Sequence, residues 1–458
     1  MALIGFVWFV NSQPDLAIWH KVHLDEEFTA DSKFQTFAEY LELEERLFAQ
    51  LDEDVYLRVP KAERTSIKRY HRGSQADPAT WETNWNRSYE RPGAGPGVLL
   101  LHGLSDSPYS LRAIGERLSN EGAHVLGLRI PGHGTAPSGL VHATWQDMHA
   151  AVVLAMRHLQ AQVGERPLYI VGYSNGAALA VKYALNALED ETLPKADRLV
   201  LISPEIGVSK MAAFARWQGR MGRVLGLEKL DWNSVSLEYD PYKYNSFSVY
   251  AGDQAYRLTT AIQAQLTRLG SGDTLTAFPP TLAFQSVVDS TVSTPALISN
   301  LFLRLPDNGH ELVLFDINRE ATLHPLFDHA PRELVANLLR ESERVFRLTV
   351  LTNADEHSAN LMELRLAPGE ETPATTPLDT AWPEGLYSLS HVALPFPPDD
   401  PVYGVAPPPG YTGIRLGDVT LRGERGALRV NAAAFIRLRW NPFYAYLEDR
   451  SVAVIGGN

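Results

Sequence analysis

The run Gly172-Tyr173-Ser174-Asn175-Gly176 sets a serine between two glycines, directly after the apolar stretch LYIV and directly before AALAVKYALNAL. A strand that turns sharply into a helix lifts a serine hydroxyl clear of the backbone, where it serves as a nucleophile for acyl transfer. Such a turn forces the serine into a strained conformation, and strand and helix collide unless the flanking residues are small. Gly172, Gly176, Ala177 and Ala178 meet that demand. The helix that follows presents its positive end to Ser174, which favours the anionic oxygen that develops during attack. The five residues alone also fit a glycine-rich turn with a serine N-cap; the strand before them and the helix after them favour the nucleophile.

A nucleophile of this kind needs partners. The tetrahedral oxyanion is held by two backbone N–H groups, one from the residue after the serine and one from a loop after an earlier strand. These are Asn175 and Leu104, the latter following GVLLLHG. His102 precedes the serine and reads as a brace of that loop. The order that accompanies this turn is serine, acid, histidine, so both side-chain partners lie after Ser174. Asp289 ends the apolar run TLAFQSVV and is the expected acid; Asp316, ending ELVLF, is its rival. Among the histidines, His324 and His329 follow the last of these strands closely, but His324 stands before Pro325, and His357 sits in the polar turn NADEH. His391 lies in GLYSLSHVALPFPPDD, an apolar run bounded by prolines, where a histidine is desolvated and held. The expected triad is Ser174, Asp289 and His391, with His324 as the alternative base.

The elements that must position these residues alternate between strand and helix. From Gly97, the runs GVLLLHG, HVLGLRIPGHG, LYIVGYSNG and RLVLISPEIGV are continuous apolar strands, separated by helical patterns, one of them opened by Thr144. That rhythm predicts a mostly parallel sheet covered by helices on both faces. Residues 97–204 then form the first part of the core. Residues 205–280 break the pattern with an aromatic segment, EYDPYKYNSF, and are expected to form a lid. Residues 281–400 return to the core, with an excursion over 319–385 before His391, and residues 401–458 read as a β-rich C-terminal extension. Before the core, residues 1–96 form an N-terminal segment. Its helix, over residues 31–51, is expected to start at a capping box of Ser32 and Gln35. The opening MALIGFVWFV is too short to span a bilayer and lacks the features of a signal peptide. It reads either as the end of a trimmed membrane anchor or as a buried terminal segment. Location accordingly divides between an anchored protein facing the periplasm and a cytoplasmic one.

Composition narrows the function classes. With 45% hydrophobic residues over 458 positions the chain has ample material for a large core. A formal net charge of −13 argues against nucleic acid, whose phosphates call for a surplus of lysine and arginine. The absence of cysteine excludes disulfides, thiolate metal sites and a cysteine nucleophile. No phosphate-binding or dinucleotide glycine motif and no HExxH is present, so no cofactor and no metal are expected. Oligomeric state is not readable from the sequence.

The segments LLLHGLSDSPYSLR, RIPGHGTAPSGLVHATWQDM and GYSNG together resemble the bacterial carboxylesterase and monoacylglycerol lipase branch of the α/β hydrolases, over residues 97–205 and again over 281–292. The resemblance implies the α/β-hydrolase fold and a serine carboxylesterase or lipase acting on a small or lipid-like ester. It also implies an acid at Asp289, in a strand–D–x–x–V setting, and a structural role for His133 of PGHG. The N- and C-terminal parts resemble a group of bacterial α/β hydrolases with an N-terminal membrane anchor, which carry their histidine in a segment matching S-H-V-A-L-P-F, at His391. An acyltransferase or thioesterase on the same fold, and a non-catalytic interaction protein, are the alternative readings.

Overall fold

Continuous apolar strands are stable only when both faces are covered, and that condition sets the layout of this chain. The structure, a computed structural model, describes residues 14–207, 228–270, 273–321, 330–341, 343–417, 419 and 436–457. Its strands are β1 (Tyr89–Arg91), β2 (Gly97–Leu101), β3 (His124–Leu128), β4 (Leu168–Tyr173), β5 (Arg198–Ile202), the short ribbon β6 (Trp232–Ser234) and β7 (Phe247–Ser248), and β8 (Thr281–Ser286). Then follow β9 (Glu311–Phe315), β10 (Arg347–Asn353), β11 (Asn360–Leu366) and β12 (Ala374–Ala381). All but the ribbon join one sheet in the order β1-β3-β2-β4-β5-β8-β9-β10-β11-β12. From β3 to β10 neighbours run parallel, while β1 at one edge and β11 and β12 at the other run antiparallel.

Among the described residues, the helices of seven residues or more are α1 (Phe37–Asp54), α2 (Arg112–Asn120), α3 (Trp145–Val163), α4 (Asn175–Ala187), α5 (Val249–Leu269), α6 (Thr294–Asn300), α7 (Ala330–Arg340) and α8 (Tyr444–Gly456). Alternation along each strand sorts the core into two layers. Leu99, Leu101, Ile170, Leu199, Leu201 and Leu312 face α3, α4 and α5, whereas Val98, Leu100, Val171, Val200, Phe284 and Phe315 face α2 and α8.

Register places the functional loops side by side. Leu101 pairs with Gly172, Gly172 with Leu201, and Ile202 with Phe284. The chain therefore leaves β2, β4, β5 and β8 at one edge of the sheet, the carboxyl edge where parallel α/β sheets gather their ligands.

Several boundaries differ from expectation. Helix α1 begins six residues later than expected, because Thr36 and Glu39 make the reciprocal capping box, while Ser32 closes a turn with Thr29. The lead-in before Gly97 contributes β1, whose pairing with β3 brings an edge strand into the sheet. Within the stretch expected as a lid, α5 is a core helix: Leu258 and Ile262 are fully buried against the main layer. Residues 208–227 of that stretch lie outside the described residues. The excursion over 319–385 supplies β10, β11 and β12, three added strands. Of the segment 401–458, expected as β-rich, residues 418, 420–435 and 458 lie outside the described residues, and the end expected as a strand, WNPFYAYLED, instead runs into helix α8. Tyr444, Leu447, Ser451 and Ile455 recur at helical spacing and are all buried, so the period was helical from the start.

The N-terminal segment is bound to the core through Arg129, whose side chain is fully buried at the end of β3. It pairs with Glu27 at 3.0 Å and Glu44 at 2.9 Å, both from the N-terminal segment. Leaving such a buried charge without its partner costs about 3–5 kcal/mol. No helix among the described residues is long and apolar enough to cross a membrane. The opening apolar run, residues 1–13, lies outside the described residues.

Candidate active site

Ser174 sits between β4 and α4 with φ +53°, one of few non-glycine residues in the left-handed region. A conformation of that kind costs about 1–3 kcal/mol and persists only where its surroundings enforce it. Here they do: the Ser174 N–H donates to the Ile202 carbonyl of β5, and the Ser174 carbonyl accepts from the N–H groups of Ala178 and Glu205. The small neighbours are required by contact. A Cβ on Gly176 would stand 2.1 Å from the Leu101 carbonyl oxygen, and one on Gly172 would stand 2.6 Å from the Ala177 Cα. The start of α4 is thus pressed against the end of β2 and the loop that carries Leu104. Among the described residues, the N–H groups of Leu104 and Asn175 have no protein acceptor.

His391 reaches Ser174 from 217 positions away, its Nε2 lying 3.0 Å from the serine Oγ. Its Nδ1 lies 2.7 Å from Asp289 Oδ2. The Asp289 side chain has no solvent exposure. Its Oδ1 accepts from the N–H groups of Thr291 and Val292, and Gln285 donates to Oδ2 at 3.1 Å. Burial pushes this carboxyl upward, but the facing imidazole and those donors outweigh it and hold Asp289 below the ordinary carboxylate range. An ionised carboxylate only accepts, so His391 carries its proton on Nδ1 and turns the Nε2 lone pair toward the serine hydroxyl.

The histidine turn is anchored from several directions. Ser286, at the end of β8, donates to the Leu389 carbonyl, and Ser390 donates to the Leu438 carbonyl. The Asn441 N–H donates to the Phe396 carbonyl, and the Tyr173 hydroxyl approaches the His391 carbonyl at 3.4 Å. The C-terminal segment therefore helps to place the imidazole, a connection between distant parts of the chain that sequence spacing does not display.

The rival residues are otherwise engaged. Asp316 is bound by Arg319 and by Thr352 at 2.8 Å. His102 Nε2 accepts from the Ile130 N–H, and burial together with the nearby His133 pushes its pKa well down. His133 is pushed down to about 4, chiefly by burial. Both rings are neutral braces of the loops after β2 and β3. His357 is exposed in its turn, and His324 and His329 lie outside the described residues. Among the described residues, no cluster of three or more histidines and carboxylates is arranged to hold a metal ion.

One residue went unread in the sequence. Glu205, in the S-P-E turn after β5, keeps its Oε2 buried without a hydrogen-bond partner. Burial, and then the charge of Asp289, push its pKa up to about 7. Two neighbouring carboxyls are thereby driven apart, one ionised against the imidazole and one largely protonated below neutral pH. The available signal was a glutamate in the short turn that follows the apolar run LVLI.

Residues 96–316 match the family Hydrolase_4, described as serine aminopeptidase, S33. Over 173 residues, or 38% of this chain, the sequence is 29% identical to the thermostable monoacylglycerol lipase of Bacillus sp. (strain H-257), and the match spans 65% of that enzyme's length. Among solved structures, it is similar to a metagenome-derived lipolytic enzyme described with LipS and LipT, at 21% identity and a TM-score of 0.40, covering 56% of this chain and 98% of the other. The monoacylglycerol lipase of Paleococcus ferrophilus is similar at 18% identity and a TM-score of 0.38, covering 55% of this chain and 98% of its own.

Proposed function

We propose that this chain, whose residues 96–316 match the Hydrolase_4 family model, is a serine hydrolase of the α/β-hydrolase kind that cleaves carboxylic esters, as a carboxylesterase or lipase, through an acyl-enzyme. The observation that carries this reading is the unbroken hydrogen-bonded line from Ser174 Oγ through His391 to Asp289, at 3.0 and 2.7 Å. Ser174 Oγ attacks the ester carbonyl while His391 Nε2 takes its proton. Asp289 stabilises the imidazolium and keeps its orientation. The N–H groups of Leu104 and Asn175 receive the oxyanion, a contribution of the kind worth about 10²–10³ in kcat per donor. The alcohol leaves with the proton from Nε2, and water then attacks the acyl-serine by the same route in reverse.

The test is labelling with a fluorophosphonate, which reacts only with an activated serine, beside a series of p-nitrophenyl esters of rising acyl length. Because the matched family is described as an aminopeptidase, an aminoacyl p-nitroanilide belongs in the same series. Labelling at Ser174 with ester turnover is expected. No labelling and no turnover would leave the fold without this chemistry, and turnover of the anilide alone would replace ester by amide hydrolysis.

A further inference from the structure

A cavity of about 260 Å³ is lined in part by residues adjoining Ser174 and His391 in the chain. Its walls include Tyr173, the residue before Ser174, and Val392, the residue after His391. Its volume is near the lower end of ligand sites, which run from about 300 Å³ upward, so it suits a small group. The charge on its walls is lopsided: Lys243, Arg437 and Arg439 line it, against the single carboxylate of Asp106.

Those charges are not equally matched. Lys243 pairs with Asp106 at 2.8 Å. Arg439 stands 3.9 Å from Asp240 Oδ2, beyond hydrogen-bond distance, and the Asp240 Oδ1 accepts from the Tyr403 hydroxyl and two backbone N–H groups. Burial raises the pKa of Asp240, which weakens it as a counter-charge. Arg437 has no carboxylate within ion-pair distance among the described residues; it donates to Thr291 Oγ1 at 2.7 Å, two residues from Asp289. Leu438, between the two arginines, packs against the second core layer, while Arg437 and Arg439 both line the cavity. Tyr239 and Phe396 add aromatic wall. A neutral acyl chain entering this space would strip water from cations and return nothing, whereas a carboxylate would find planar, multi-donor partners.

We propose that this cavity is an anion-recognising subsite, in which Arg437 and Arg439 bind a carboxylate carried by the ester substrate, so that the enzyme acts on half-esters of dicarboxylic acids or on esters of carboxylate-bearing alcohols. The inference rests on the esterase reading and names its substrate class.

Two matched pairs test it: p-nitrophenyl hemiglutarate against p-nitrophenyl valerate, with the charge on the acyl side, and 4-carboxyphenyl butyrate against phenyl butyrate, with the charge on the leaving side. In at least one pair the anionic ester is expected to show the higher kcat/KM. In Arg437→Gln and Arg439→Gln that preference falls about tenfold to a hundredfold, the scale of a charge-assisted hydrogen bond, and Arg437→Lys restores part of it. The ratio within each pair is the readout, because Arg437 also touches the acid loop and its loss can slow both esters together. The wild-type protein needs no folded variant: raising salt to 0.5 M should slow the preferred anionic ester more than its neutral partner. Turnover of the neutral esters with no anionic preference in either pair would overturn the subsite while leaving the esterase reading intact. Absence of any ester turnover would overturn the esterase reading instead. Glutarate titrated into the protein by calorimetry then decides the cavity: saturable binding weakened at least tenfold in the two glutamine variants supports it, and no saturable binding overturns it.

Discussion

The nucleophile and the histidine that faces it are built in opposite ways. Ser174 is held by β4, α4 and the strands directly beside them, and its strain is enforced by contacts a few residues away or one strand over, such as Gly176 against Leu101 and Ser174 against Ile202. His391 sits in a single short turn with no sheet ladder of its own. Its position depends on Ser286 of β8, Tyr173 of β4 and the segment that carries Leu438 and Asn441. A rigid, local elbow tolerates little change in size; a turn tied down from several distant places depends on polar anchors. The same site thus couples a local signal in the sequence to a set of long-range ones.

The strongest way to break this comparison is at the reacting atoms. Ser174→Ala should keep the fold and lower kcat by about 10⁴ or more on a soluble ester. His391→Ala should lose several orders of magnitude, while His324→Ala stays within a few-fold of wild type. Saturating p-nitrophenyl ester kinetics decide this, and a dead His324→Ala beside an active His391→Ala would remove the long-range half of the site.

Next in size is the acid. Asp289→Asn leaves the shape but removes the charge that orients the imidazole, and a loss of about 10²–10⁴ in kcat is expected from the wrong tautomer. Asp316→Asn, which loosens Arg319 and Thr352, should alter melting temperature more than kcat. The reverse pattern would make Asp316 the acid.

The elbow predicts a stability effect. In Gly176→Ala the added carbon meets backbone oxygens of Leu101 and His102, neither of which can rotate away. Overpacking of this kind costs about 1–3 kcal/mol or more, so the melting temperature should fall and kcat with it. An unchanged melting curve would mean that α4 is not pressed against β2.

The smallest effect belongs to Glu205. Its folded pKa of about 7 lies above the unfolded value, so the folded chain holds the extra proton between the two. Stability is therefore lost as pH rises from the ordinary glutamate range to about 7, and stays lost above it. Glu205→Gln should raise the melting temperature by a few degrees at most at pH 8 and leave it unchanged near pH 4. An equal shift at both pH values would show that packing, not ionisation, is the cause.

How much of this was legible follows from the same physics. The parallel sheet and the elbow were readable because apolar strands, a G-x-S-x-G turn and small neighbours are short-range consequences of close backbone approach. Asp289 was singled out as the expected acid because it follows an apolar run, and its carboxylate stands 2.7 Å from His391. The start of α1 was misplaced because two capping boxes stand four residues apart, and contacts with the core, not propensity, chose Thr36 and Glu39. Helix α8 was misread because its aromatic opening, YAYL, suits a strand until the buried positions are seen to recur every three or four residues.

The sequence by itself determined the alternation of strand and helix from β2 to β5, the strained serine turn and the chemical types of its expected partners, since each depends on residues adjacent in the chain or on the fixed geometry of βα turns. Only the tertiary structure decided that residues 347–381 add β10, β11 and β12 to the sheet and so let the chain return to Ser174 at His391. It alone also decided that Arg437 and Arg439 share a cavity with Tyr173 and Val392, and that Glu205 lies within the field of Asp289. Those relations depend on which distant groups share a desolvated space, and the electrostatic strength of a pair is set by that space rather than by separation along the chain.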